Sequence, residues 1–225
     1  MNPCYPVAKR LLDLGAAMTA MVVAGPVILI AALAVWLEDR SAAPFIVQER
    51  IGRNERPFGL IKLRSMRSVR FSGGRKLTDA ERMLRSGGLF RKYSVDELPQ
   101  LMNVILGHMS LIGPRPMPIA YLPYFTPLER RRHQVRPGMS GLAQVSGRNF
   151  LTWEQKFALD VTYVERCGPR IDLEIFLKTL RRLLHPTDVG VRGVDLPVIS
   201  LHEERRPWNE PTVGNVSANG QTADV

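Results

Sequence analysis

From Leu14 to Leu37 the chain carries 24 consecutive residues without a charge, bounded by Lys9, Arg10 and Asp13 before and by Glu38, Asp39 and Arg40 after. At ~1.5 Å per residue such a run reaches across a bilayer core of about 30 Å. Gly25 and Pro26 stand near its midpoint. Proline removes a backbone N–H and crowds the carbonyl four residues back, and glycine beside it weakens the helix further. Three arrangements compete: a cleaved signal peptide, a single spanning helix, and a helix–break–helix that enters and leaves on one face. The run is longer than a signal h-region and leads into no small-x-small cleavage site. Lys9 and Arg10 before it and the basic body after it both favour the cytoplasmic side. A single span violates that preference at one end, whereas a re-entrant hairpin over residues 1–40 satisfies both.

Past this run the periodicity changes. Phe45-Ile-Val-Gln48 and Phe58-Gly-Leu-Ile-Lys-Leu63 read as strands of a hairpin turning at Gly52-Arg-Asn54. Thr78-Asp-Ala-Glu81 is a capping box opening a short helix to about Arg85, which Gly87-Gly88 should end. Another helix runs from Ser94 or Asp96 to Leu106. Ser94 at the cap leaves Pro99 past the first turn; Asp96 at the cap brings Pro99 inside it, where its missing N–H costs less. Either start sets Asp96 and Glu97 at a helix N-terminus, whose dipole favours ionised carboxylates.

Gly113-Pro-Arg-Pro116 fits neither helix nor central strand and reads as a stiff loop holding Arg115. Thr126-Pro-Leu-Glu129 starts a basic helix through His133. Arg136 to Gly141 is a turn-rich loop, Leu142-Ala-Gln-Val145 a short strand, and Gly147-Arg-Asn149 a loop. Thr152 to about Cys167 is helical, with Phe157, Val161 and Val164 in a stripe that also contains Asp160. A carboxylate there is partly desolvated and needs a partner. Asp172 to Leu184 is a basic amphipathic helix whose apolar face suits a protein core or a lipid surface equally. Residues 201–225 are polar and read as a disordered tail. The pattern describes an α+β protein: a membrane segment over residues 1–40, a single span or a re-entrant hairpin, then a small, mostly helical cytosolic domain over 41–200 with a short β-hairpin, docked on the membrane face.

Charge adds a partner class. Lys and Arg number 31 against 21 acids, a net +10, which calls for an anionic partner. No zinc-finger spacing, RNP-like motif or heptad array points to nucleic acid. Two cysteines far apart, Cys4 and Cys167, fit a reduced compartment, and the four histidines form no metal-ligand spacing. The P-loop, dinucleotide fingerprint and serine elbow are absent. The distinctive polar residues are Lys62, Arg64, Arg91, Asp96, Glu97, Arg115, Arg148 and Asp160. Cations beside carboxylates suit phosphoryl chemistry, in which a carboxylate holds Mg²⁺ or accepts the phosphoryl group itself. A membrane segment makes a lipid phosphate or pyrophosphate the natural substrate class. Spacing alone leaves a plainer reading open: Asp96 and Glu97 as caps, Asp160 as a structural ion-pair partner, Lys62 as an edge-strand guard.

Eight motifs occur in order: Lys9-Arg-Leu-Leu-Asp13, the proline-broken run, Lys62-Leu-Arg-Ser-Met66, Ser94-Val-Asp-Glu-Leu-Pro-Gln-Leu101, Met109-Ser-Leu-Ile-Gly-Pro-Arg-Pro116, Arg136-Pro-Gly138, Gln144-Val-Ser-Gly-Arg-Asn149 and Leu159-Asp160. From Lys9 to Leu184 the chain resembles the bacterial sugar transferases, monotopic phosphoglycosyl transferases, in their minimal catalytic form. Of the two forms open to the membrane segment, the resemblance implies the re-entrant hairpin. The resemblance implies that Asp96 is a nucleophile attacking the sugar-bearing phosphate of a nucleotide diphosphosugar, usually a UDP-sugar. UMP leaves, and polyprenyl (undecaprenyl) phosphate takes the phosphosugar from the aspartate, as in exopolysaccharide or glycoconjugate assembly. Glu97 would assist proton transfer or hold Mg²⁺ with Asp96. Arg115 and Arg148, with Lys62, Arg64 and Arg91, would meet phosphates, and Asp160 would orient an arginine or a Mg²⁺-bound water. The partners implied are a UDP-sugar, polyprenyl phosphate and membrane lipid at the cytoplasmic face of a bacterial inner membrane; a homodimer is left open. Four positions depart from the family pattern: Gly25 where Ser is common, Leu63 and Ser65 for Phe and Thr, and Leu142 for Trp.

Overall fold

A computed structural model describes residues 5–69, 71–72, 74–147 and 150–184, together with Leu201 and Arg205. Tyr5–Glu38 forms one α-helix, α1, with Pro26 inside it. Helical structure continues through Gly25-Pro26 rather than dividing there into two separate helices. One stripe of α1 packs inward along its whole length, through Asp13, Ala17, Ile28, Ala31, Ala32 and Val35. The opposite face leaves Val22, Val23, Leu29 and Ile30 exposed.

The hairpin expected after it is present. Strands β1 (Phe45–Ile51) and β2 (Pro57–Leu63) pair antiparallel, from Phe45 opposite Leu63 to Ile51 opposite Pro57. Asn54 takes φ 54° in the turn, a left-handed conformation asparagine tolerates well. Short strands β3 (Phe71–Ser72) and β4 (Arg75–Lys76) form a second hairpin. Thr78 and Glu81 make the expected reciprocal capping box on α2 (Asp79–Arg82).

Helix α3 (Arg85–Lys92) contains Gly87 and Gly88, contrary to the expected break. The reason is packing: a Cβ on Gly87 would sit 2.1 Å from the Ser65 carbonyl oxygen, so glycine lets this helix press on the chain leaving β2. Next come a 3₁₀ turn at Val95–Glu97 and helix α4 (Gln100–Ile105). Asp96 therefore lies in a turn ahead of the α-helix rather than at its cap, and Pro99 takes the N-cap position.

Strand β5 (Ser110–Ile112) pairs in parallel with β6 (Gly138–Ser140), a pairing absent from the sequence reading. Between them, Thr126 and Glu129 box the start of α5 (Pro127–Arg130), which continues as 3₁₀ structure through Arg131–Gln134. The segment expected as a strand is helix α6 (Leu142–Ser146). Too short for either periodicity to decide, it takes its form from its packing beside α7 (Trp153–Arg166) and α8 (Pro169–Leu184).

The core falls into linked clusters along two spines. The first half of α1 meets Phe58, Leu60, Leu101, Val104 and Met109; its second half meets Leu63, Leu84 and Phe90. Helix α7 carries the rest, with Trp153 and Phe157 against Ile51, Phe125 and Leu201, and Tyr163 against Ile112, Val145 and Ile175. Leu201 is fully buried and Arg205 bonds Glu129 and Glu154, although both fall in the stretch read from sequence as a disordered tail.

Both ends of α1 are tied to this one domain by polar contacts. At the start, Tyr5 and Lys9 bond the Asp172 carboxylate, and Arg10 donates to the carbonyls of Val104 (2.6 Å) and Ile105 (2.9 Å) near the end of α4. Asp13 accepts from Ser110 Oγ (2.7 Å) and the Leu111 N–H (3.2 Å). At the far end, Glu38 accepts from the N–H groups of Arg85 and Ser86, donors that helix α3 cannot satisfy internally.

Candidate active site

The acidic pair is delivered by a backbone turn. Ser94 holds φ 57°, ψ 24°, a left-handed conformation unusual for a residue other than glycine. It reverses the chain between α3 and the 3₁₀ turn, setting Asp96 and Glu97 against β2. There Lys62 Nζ lies 3.4 Å from Asp96 Oδ2 and 3.2 Å from Glu97 Oε1.

Arg115 reaches the pair from the Pro-Arg-Pro loop. That loop is clamped at close range: Gly113 N–H donates to Ser140 O (2.8 Å) and Gly138 N–H to Pro114 O (2.9 Å). A Cβ on Gly138 would fall 2.1 Å from Gly113 N, so neither a side chain nor a looser loop fits. Arg115 Nη2 then donates to Glu97 Oε1 at 2.6 Å.

The two neighbouring carboxylates are driven apart. Burial pushes Asp96 above the usual aspartate range, and the negative charge of Glu97 adds to this; Lys62 and Arg91 pull the other way without cancelling it. Burial also pushes Glu97 upward, but Arg115 and Lys62 outweigh it and hold this carboxyl far below the ordinary range. The expectation that a helix dipole keeps Asp96 easily ionised is therefore reversed, since desolvation outweighs the remote start of α4. Arg50 adds to the local field. It donates to Gln48 Oε1 (2.7 Å), while burial and the charge of Arg115 lower its own proton affinity.

Lys62, Asp96, Glu97 and Arg115 line a cavity of about 1020 Å³ shared with Arg91, Gln48, Gln144 and Arg182. Arg91 donates from Nε to Ser65 Oγ at 2.9 Å. Of the residues singled out from sequence, Lys62, Arg91, Asp96, Glu97 and Arg115 thus converge on one cavity. Arg64 borders it but is committed elsewhere. Its Nε bonds Ala43 O, Nη1 bonds Asp39 Oδ2 and Ser68 Oγ, and Nη2 bonds the carbonyls of Asp39 and Ala42. A guanidinium has five N–H groups, and these five acceptors use them all. Arg64 clips the loop after α1, and its assignment to phosphate is withdrawn. Arg148 lies outside the described residues.

Asp160 faces the cavity wall from α7 yet is 2% exposed, and its partner is Arg132, which the sequence reading passed over. The signal was there, since a carboxylate on an apolar stripe demands a cation. Arg132 sits in a run of basic residues that reads as a solvated face.

Among the described residues no cluster of three or more His, Cys, Asp and Glu could enclose a metal ion. What the site offers is two adjacent carboxylates inside a cationic wall, a donor set suited to an ion that keeps water and shares phosphate oxygens with its ligand.

Residues 4–186 match the sequence model of the bacterial sugar transferases. An uncharacterized sugar transferase, EpsL, of Bacillus subtilis is 44% identical over 178 residues, covering 79% of this chain and 88% of that protein. A Caulobacter vibrioides protein named UDP-glucose:undecaprenyl-phosphate glucose-1-phosphate transferase is 39% identical over 188 residues, covering 78% and 69%. An Aeromonas hydrophila protein named UDP-N-acetylgalactosamine-undecaprenyl-phosphate N-acetylgalactosaminephosphotransferase is 36% identical over 199 residues, 85% of this chain but 46% of that longer protein.

Proposed function

Because the chain belongs to the bacterial sugar transferase family, we propose that it moves a phosphosugar from a UDP-sugar to polyprenyl phosphate through a covalent intermediate on Asp96. One observation carries the assignment: a buried aspartate next to a glutamate that Lys62 and Arg115 clamp, on the wall of a cationic cavity. An Asp96 carboxylate oxygen attacks the sugar-bearing phosphorus. The bond from that phosphorus to the bridging oxygen breaks, and UMP departs with both electrons. A phosphate oxygen of the polyprenyl acceptor then attacks the same phosphorus and frees the carboxylate. Double displacement of this kind is ping-pong.

The two carboxylates divide the work. Desolvation makes Asp96 a stronger nucleophile once ionised. Glu97, held anionic by two cations, is a poor proton acceptor at neutral pH. Its role is to fix Lys62 and Arg115 where the donor phosphates arrive, and with Asp96 to hold Mg²⁺. That ion would neutralise charge on the diphosphate, its shell completed by water and phosphate oxygens. Arg91 supplies a further guanidinium on the same wall.

The acceptor is a membrane lipid, and the fold suits a lipid surface. Both ends of α1 bind the same domain, which supports a re-entrant arrangement with both ends on one side of a bilayer and Pro26, inside the helix, as the point where it would turn back. The outward face of α8 adds Leu173, Phe176, Leu177 and Leu180, all exposed. The positive-inside preference supports the cytoplasmic face of the bacterial inner membrane as the protein's place.

The test is UMP release from a panel of UDP-sugars with Mg²⁺ and polyprenyl phosphate, with intact-protein mass read before the acceptor is added. The wild type should gain one phosphosugar, and Asp96→Ala should lose turnover by roughly 10³-fold or more, the order seen when a nucleophile is removed. Full turnover in Asp96→Ala would exclude the aspartyl intermediate.

A further inference from the structure

Beneath the site lies a charged pair that the reaction does not touch. Arg132 and Asp160 have side chains 1% and 3% exposed. Arg132 Nε and Nη2 both donate to Asp160 Oδ2, at 3.0 and 2.7 Å. The guanidinium lies beside two rings that contact each other edge-to-face, 5.4 Å from Phe125 and 5.3 Å from Phe157. Apolar residues of similar volume would fill such a place at least as stably, so stability alone is a weak reason for the pair.

A third bond supplies a better one. Arg132 Nη2 also donates to the main-chain carbonyl of Arg115 at 2.7 Å. Arg115 stands between two prolines, whose φ is fixed near −65°, and a residue before proline is barred from helical conformation. A segment with so little internal freedom carries its side chain wherever its carbonyl is held. The other end of Arg115 meets Glu97 at 2.6 Å.

We propose that the buried Arg132–Asp160 pair is a positioning device, gripping the main chain of Arg115 so that its guanidinium is aimed at Glu97 and at the phosphates of the donor. Asp160 fixes the plane of Arg132, Arg132 fixes the Arg115 carbonyl, and Arg115 alone of the three reaches the cavity chemistry. The proposal deepens the phosphosugar-transfer reading and rests on it for the reaction that is measured.

The experiment uses the full chain in lipid nanodiscs. Arg132→Lys keeps a charge for Asp160 but lacks the fork that serves two acceptors. R132M/D160L removes both charges, keeps apolar volume, and serves as the second variant where Arg132→Lys does not fold. Melting temperature establishes that each is folded. Two readouts follow: the rate of UMP release, and, with no substrate present, the rate at which phenylglyoxal modifies Arg115, followed by peptide mass spectrometry.

Folded variants should release UMP about 10- to 100-fold more slowly, the scale of a small misplacement at a reacting site, and Arg115 should react faster with phenylglyoxal. In an Arg115→Ala background, Arg132→Lys should cost nothing further, because the effect travels through Arg115. Wild-type UMP release in a folded variant overturns the proposal, as does a loss that multiplies with that of Arg115→Ala. If the wild type releases no UMP from any UDP-sugar, the phosphosugar-transfer reading fails and Arg115 reactivity decides alone: unchanged labelling in the folded variant rejects the positioning role.

Discussion

Asp96 and Glu97 are neighbours in sequence and opposites in character: burial raises both and Lys62 touches both, but Glu97 alone of the two also takes the Arg115 guanidinium in a hydrogen-bonded ion pair. Attack on phosphorus needs the ionised form of Asp96, so UMP release should rise with pH as Asp96 loses its proton, above the usual aspartate range. Lys62 pulls that proton affinity down. Lys62→Met should therefore move the acid limb of the pH–rate profile to higher pH as well as lower its plateau; a limb that stays put would show that Asp96 is not the group titrating. Arg64 makes the contrasting case. Lys62 and Arg64 look alike from sequence, two cations at the end of a strand, and the strand's end separates them: Lys62 lies inside β2 and meets the acidic pair, whereas Arg64 follows the last residue of β2 and turns to five acceptors around the loop after α1. Arg64→Met should destabilise the fold by roughly 3 kcal/mol, as breaking a buried pair does, and shift the thermal transition. A raised KM for the UDP-sugar with unchanged melting would return Arg64 to the substrate. The residue types of the site were legible because charge without an obvious partner stands out. Arg132 was not, because its neighbours in sequence, Arg130 and Arg131, disguise a fully buried side chain.

Elements with their own punctuation were the easiest to read. The capping boxes at Thr78 and Thr126 and the alternation in β1 and β2 act within a few residues, and each is where the sequence places it. Elements decided by distant contacts were not. The parallel pair β5 and β6 needs a crossover, and the α6 segment is too short for a period to establish itself. The Gly87-Gly88 break failed for an instructive reason, since the two glycines have different causes. A Cβ on Gly87 meets the backbone of Ser65 at 2.1 Å, whereas a Cβ on Gly88 meets nothing within 4 Å. Gly88→Ala should stabilise α3 by ~0.5–1 kcal/mol through reduced chain entropy and better helix propensity. Gly87→Ala should destabilise by about 1–3 kcal/mol, overpacking outweighing that gain. Thermal melts of the two variants moving in the same direction would refute the close approach of α3 to the end of β2.

The whole molecule is organised by an apolar helix that is also half of a core. An isolated anchor would owe nothing to the domain it carries, whereas α1 buries a stripe from Asp13 to Val35 and is tied down at both ends. Charge bias suggested this from sequence by setting both flanks on one side; the ties to Asp172, Val104, Ile105, Ser110, Arg85 and Ser86 could not be read there, because they join residues as far as 167 positions apart. Their consequence is testable in cells. Pro6 and Ala43, exposed residues near the two ends of α1, can each be changed to cysteine after Cys4 and Cys167 are changed to serine. A membrane-impermeant maleimide should spare both in intact spheroplasts and label both in inverted vesicles. A helix that spans once would have to pull one end off the domain, losing either the Arg10 and Asp13 bonds or the Glu38 cap on α3, and it would expose a stripe that now covers Leu60, Leu63 and Leu101. Labelling of Pro6→Cys and Ala43→Cys from opposite sides would therefore reject the re-entrant arrangement and, with it, this packing of α1.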